Sequence, residues 1–241
     1  MGKLTCEDGE YCFSYLQGAI QAQKTANFQP LWSFPDLFRR YRSAELFPLF
    51  ANRLLRPSRP EYQDFVQWLN IPEQKEDPIA LLARSGGKRK TDSFEVFPCP
   101  ERDANDTYHI HFFAHGLRHC PEAAQQQVQS LKPETPLFII RDLQNQFDSH
   151  ALLLRTENLH CVGYCPRYLT QDFCNLICQS PQQVKVAVER INLPPTPLQF
   201  RLLCNFTASW EEDFQPFSSD IYQEVSQNSA KSSAIPASAS I

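Results

Sequence analysis

The sequence predicts an α+β protein in two parts: an N-terminal domain of mixed helices and strands over residues 4–98, then a small curled β-sheet or partly open barrel with two helices over residues 107–210. Three observations carry this reading. Short apolar runs at Leu137–Ile140, Ala151–Arg155 and Cys161–Tyr164 have the length of strands and are separated by polar corners. Helical stripes flank them, with Ala124, Val128 and Leu131 on one and Leu169, Phe173, Leu176 and Ile177 on the other. Between the two halves, Pro98–Asp106 has linker composition, which puts the boundary at residues 99–106. Residues 218–241 are rich in Ser, Ala and Gln and are expected to form a disordered tail.

Taken in order, Met1–Glu10 reads as a polar start, Tyr11–Leu16 as a strand and Gln17–Lys24 as a short helix. Pro30, Pro35 and Pro48 then break the chain into short pieces, with a helix start offered at Ser43 and Pro48 as a start or a kink inside that helix. Ser58 with Glu61 three residues on is a capping box, followed by the Tyr62, Phe65, Val66 and Leu69 stripe of a helix lying on a core. Asp77 and Pro78 open a helix that Gly86 and Gly87 close. Phe94–Phe97 is expected as a closing strand. Tyr108–His115 begins the second domain as a strand, Pro121 opens its first helix, and Pro166 stands at the start of its second. Gln183–Ile191 and Leu198–Phe206 are its last strands, giving the order β-α-β-β-β-α-β-β.

At 241 residues with 42% hydrophobic content the chain can bury one large or two small cores. No apolar run approaches the roughly 20 residues of a membrane span, and the first ten residues hold no signal-peptide core, so a cytoplasmic protein is expected. Nine cysteines without an export signal favour free thiols. The net charge of −4 argues against a non-specific nucleic-acid coat, yet the acidity is concentrated late: +1 over residues 1–100 (13 basic, 12 acidic), −1 over 101–205 (9 and 10) and −4 beyond (1 and 5). Arg39, Arg40, Arg42, Arg53, Arg56 and Arg59 form one basic stretch, and Arg84, Lys88, Arg89 and Lys90 another. The two stretches are candidates for a phosphate-facing surface, with Lys88, Arg89 and Lys90 as its basic cluster, against the plainer reading that they solvate the exposed faces of helices.

Function points to the corner Asp142–Asp148, which offers carboxylates, an amide and an aromatic ring between two strands. Its R-D-x-x-N-x-F-D-x-x-A-L pattern, followed by V-G-Y-x-P-R-Y-L, resembles the signature of the HIRAN domain, and Gly116-Leu117-Arg118-His119 resembles that family's G-x-R-[YH] segment. Leu143 and Gln146 stand where the family usually has proline. The resemblance implies a module for single-stranded DNA or DNA 3′ ends, in which an aromatic group meets a base and an Asp accepts from the terminal hydroxyl. Carried over residue by residue, it implies nucleic-acid-binding roles for Arg118, His119, Asn145, Phe147, Asp148, Tyr164 and Arg167. Two plainer readings compete: Arg118 paired with Asp142 or Asp148, and Asn145 with Asp148 as turn-formers that cap the local backbone.

Residues 4–98 more loosely resemble the N-terminal subdomain of the HipA toxin kinases, on Phe47-Pro-Leu-Phe-Ala-Asn-Arg-Leu. No kinase body, phosphate loop or metal-binding Asp/Asn set follows, so no enzymatic activity, catalytic residue or cofactor is expected. His109, His111, His115 and His119, with Cys161/Cys165 and Cys174/Cys178, invite a zinc reading, but the spacings are wrong for knuckles and no metal site is expected. The alternative function is a non-enzymatic protein-interaction adaptor of a toxin–antitoxin or defence-type system, with a partner docked on the N-terminal domain.

Overall fold

The computed structural model describes residues 1–72 and 77–225. They fall into two compact units, one of residues 1–52 with the chain from 217 on, the other of residues 53–216.

In the first unit β1 (Gly2–Glu7) and β2 (Glu10–Tyr15) form a hairpin, and β3 (Tyr41–Ser43) adds to β2. The turn residues Asp8 and Gly9 both have positive φ, as a two-residue hairpin turn requires, so the polar start is a strand after all. α1 (Gln17–Ala26) and α2 (Pro48–Ala51) follow β2 and β3; Ser43 ends a strand, and of the two helix starts the sequence offers it is Pro48 that opens α2. Phe13 stacks on Phe34 at 4.2 Å between ring centres and lies 5.7 Å from Phe50, which gives this unit an aromatic core. Part of the expected tail is ordered: Asp220–Tyr222 makes a 3₁₀ turn, and the Gln17 amide donates to the Gln223 carbonyl at 2.9 Å. Residues 226–241 of that tail lie outside the described residues.

The second unit begins with α3 (Tyr62–Leu69) and α4 (Pro78–Ser85). Asp77 caps α4 as expected, its Oδ1 accepting from the Ile79 and Ala80 amides at 2.8 and 2.9 Å. Ser58 caps nothing; Glu61 is the N-cap of α3, without a side-chain hydrogen bond. Val66 and Leu69 of the α3 stripe, with Leu81 of α4, pack with Phe113 and Leu203 of the sheet, so the division of the chain falls after residue 52 rather than at 99–106. Phe94–Phe97 is not a strand; Phe97 instead stacks on Tyr168 at 4.1 Å.

The sheet that follows holds β4 (Thr107–Phe113), β5 (Pro136–Arg141), β6 (Leu152–Arg155), β7 (Cys161–Tyr164), β8 (Lys185–Ile191) and β9 (Leu202–Ser209), antiparallel in the order β4-β9-β8-β5-β6-β7. α5 (Glu122–Ser130) and α6 (Thr170–Gln179) accompany it, and Phe173 of α6 stacks on Phe206 of β9 at 3.8 Å in the core. Register shifts at Leu154/Arg155 and Val188/Arg190 bend the ladder, as bulges do. The two outer strands then meet: His115, just past β4, and Tyr164 of β7 exchange both backbone hydrogen bonds at 2.9 Å. The curled sheet is thus a barrel closed at one residue pair, an α+β fold as the sequence predicts.

Gly163 makes that closure possible. Its φ is +126°, and a Cβ there would lie 2.8 Å from the His115 carbonyl oxygen. Gly163→Ala is therefore expected to lower stability by about 2–3 kcal/mol in urea unfolding. Gly9→Ala, at φ +80° with open space around it, should cost only about 1 kcal/mol. Equal costs would mean that the seam is not strained by a side chain.

Candidate nucleic-acid interface

The corner between β5 and β6 is fixed by its own side chains. Asn145 Oδ1 accepts from the amides of Phe147 and Asp148, both at 3.0 Å, while its Nδ2 donates to Asp142 Oδ2 at 3.1 Å. Asp148 Oδ1 accepts from the His150 amide at 2.9 Å, and its other oxygen lies 3.3 Å from Arg167 Nε. The Ala151 amide donates to the Asp148 carbonyl at 3.0 Å. Such Asx bonds define the turn without the prolines absent at Leu143 and Gln146. The turn-forming reading of Asn145 and Asp148 therefore holds in the geometry, and it leaves Phe147 turned outward, 91% exposed.

Tyr164 ties this corner to the rest of the signature. Its backbone pairs with His115, and its hydroxyl donates to Asp142 Oδ2 at 3.0 Å. The Asn145 and Tyr164 donors hold the Asp142 carboxyl below the usual carboxylate range. Burial, followed by the hydrogen bond to Asp142 and then its charge, pushes the Tyr164 phenol up. One residue beyond His115, Gly116 at φ +73° opens the 3₁₀ turn Leu117–His119, and a Cβ on it would stand 3.1 Å from the Tyr164 ring. Arg118 Nε donates to His119 Nε2 at 2.9 Å, so Arg118 does not pair with Asp142 or Asp148; their acceptors are taken by Asn145, Tyr164 and Arg167. The side chain of Arg167 is 79% exposed despite its tether to Asp148.

The structure joins Asn145, Asp148, Tyr164 and Arg167 through hydrogen bonds and sets Arg118 and His119 on the turn that abuts Tyr164. It does not keep the basic stretches together. Arg39, Arg40 and Arg42 lie in the first unit, the last two paired with Glu7 and Glu10, while Arg53 lies in the second, its side chain buried against Asp92 at 2.8 Å. Lys88 is engaged by Glu95 at 2.8 Å, and Arg89 and Lys90 are exposed. Sequence reasoning missed Glu95 and His115 as site neighbours, whereas Arg84 already stood in the basic stretch with Lys88, Arg89 and Lys90. The histidine recurrence on β4 was the available signal, and among the described residues no group of three or more His, Cys, Asp or Glu side chains is placed to hold a metal.

Comparison with known proteins finds a family model that matches part of the chain. Residues 107–211 match the HIRAN domain. The nucleic-acid-binding reading attached to that resemblance stands with it, whereas the HipA-like reading of the N-terminal part finds no support. Two solved structures are similar to the chain. One is a Lactobacillus plantarum protein solved as a structural-genomics target, at 18% identity over 42% of this chain and 98% of that one, with a TM-score of 0.32. The other is the HIRAN domain of human HLTF, at 15% identity over 46% of this chain and 84% of that one, also with a TM-score of 0.32. No curated protein matches the sequence. Among the described residues no helix is long and apolar enough to cross a membrane.

The histidines beside the HIRAN seam give a pH prediction. Burial, then the Lys88 ammonium, lowers His115 to about 4; burial, then Arg84 and His109, lowers His111 to about 3. Glu95 lies 3.7 Å from His115 but is engaged by Lys88, which leaves burial in control. Both rings titrate near pH 6.5 when unfolded, so the unfolded state binds more protons below that pH. Stability should be full above about pH 6.5 and fall as the pH drops toward about 4. Chemical denaturation of His115→Gln across pH 4–7 should show a shallower slope than the parent, and an unchanged slope would remove His115 from the account.

Proposed function

We propose that residues 107–211 bind single-stranded DNA at a 3′ end, without catalysis, on the surface made by Phe147, Asp148, Arg167 and the Arg118–His119 turn. The observation that carries this is the Phe147 ring, 91% exposed on a corner whose backbone its neighbours hold rigid. A rigid, solvent-facing ring is a stacking platform for a base, worth about 1–3 kcal/mol. Beside it, Arg167 is held through Nε, and its exposed guanidinium can meet a phosphate.

Asp148 supports end recognition in a different way from a free carboxylate. Each of its oxygens already takes one donor, from His150 and Arg167, and each retains a second lone pair. A terminal hydroxyl can donate to that pair, while a terminal phosphate meets like charge. Arg167 offsets part of the charge, so the preference for a 3′-hydroxyl over a 3′-phosphate should be about 1–2 kcal/mol. Fluorescence anisotropy should show that Asp148→Asn narrows this gap and that Phe147→Ala weakens both ends. Equal affinity of the parent protein for the two ends would sink end recognition, and no affinity for either would sink the nucleic-acid reading. The adaptor reading has one observation in its favour: Trp32 of the first unit is 95% exposed, as an anchor for a protein partner would be.

A further inference from the structure

We propose that a cationic cleft in the second unit, built partly from residues 83–95 outside the HIRAN match, carries the phosphodiester backbone of the strand whose end the corner holds. This inference rests on the single-strand reading above and extends it to a part of the chain that the family does not supply.

The cleft has a volume of about 600 Å³, room for more than a single phosphate. Arg84, Lys88, Glu95, His115, Arg118 and His119 are among the residues that line it. Three permanent cations therefore face one carboxylate. Arg84 is half-buried, and the one hydrogen bond it is seen to make is from Nη1 to the Leu69 carbonyl at 3.0 Å. Burial lowers its pKa to about 10, the mark of a guanidinium short of solvent, and a partly desolvated cation gains more from an incoming anion than an exposed one. Lys88 is exposed, and its Nζ lies 2.8 Å from Glu95 and 3.5 Å from His115 Nε2, a pairing at the surface that a phosphate can replace at low cost.

Continuity with the corner decides what the cleft takes. Arg118 and His119 line the cleft, and they follow the Gly116 turn that abuts Tyr164, whose hydroxyl reaches Asp142 of the corner. A strand ending at Phe147 and Asp148 that crosses this turn arrives at Arg84 and Lys88. An isolated anion site would bind inorganic phosphate without reference to strand length; a strand path binds longer strands better.

Length dependence tests this. Affinities are measured for oligonucleotides ending in a 3′-hydroxyl, of about three and about ten nucleotides, at fixed salt. The parent protein should favour the longer strand, and Lys88→Gln should lower the long-to-short affinity ratio about three- to ten-fold. Glu95→Gln should raise that ratio, a gain that a merely structural role for Glu95 would not produce. If both strands bind and neither substitution moves the ratio, the cleft is not a strand path, although the corner reading survives. Displacement of both strands alike by inorganic phosphate at matched ionic strength also overturns the path. Failure of either strand to bind the parent protein overturns the function and this inference with it.

Discussion

The pairing of His115 with Tyr164 is the constraint on which the site depends. Two backbone hydrogen bonds at 2.9 Å join the ends of a six-stranded antiparallel sheet. Without this pair, β4 and β7 would be open edges at opposite ends of the sheet, and the Arg118–His119 turn would have no fixed relation to the corner after β5. Glycine at 163 permits the approach, since any side chain would press on the His115 carbonyl. Tyr164 then acts on both sides of the seam, with its backbone on β4 and its hydroxyl on Asp142.

From that seam the polar order spreads outward. Asp142 receives Tyr164 and Asn145; Asn145 fixes the amides of Phe147 and Asp148; Asp148 holds Arg167. Each carboxylate of the corner is oriented by donors within the protein, so a ligand meets the Phe147 face, the outer edge of Arg167 and the lone pairs that Asp148 keeps. A rigid frame presenting an exposed ring loses little entropy when it binds, which favours recognition by stacking and charge over induced ordering.

Much of this was legible in sequence because it is local. The three strands around the corner, the Asp77 cap and the Phe173 stripe are written in period and chemistry over a few residues. What was not legible depends on distant partners. The α3 stripe with Val66 and Leu69 announces burial but not against which surface, and it packs on Phe113 and Leu203, not in the first unit. Ser58 and Glu61 satisfy a capping pattern, yet the turn from Arg56 to Arg59 precedes the helix and leaves Ser58 outside it. β1 alternates without a strong apolar face, although Asp8-Gly9 was a hairpin signal in plain view. The sequence offered Arg118 as the partner of Asp142 or Asp148, because spacing does not disclose that Arg167 reaches Asp148 instead.

The central claim is that the His115–Tyr164 closure gathers separated motif pieces into one binding surface. Titration of the isotope-labelled protein with a short single-stranded oligonucleotide ending in a 3′-hydroxyl, followed by amide chemical shifts, tests it most directly. The account predicts that Gly116, Arg118, His119, Phe147 and Asp148 shift together along one saturating curve. Shifts confined to the first unit, or shifts at the corner without any at the Arg118–His119 turn, would contradict it.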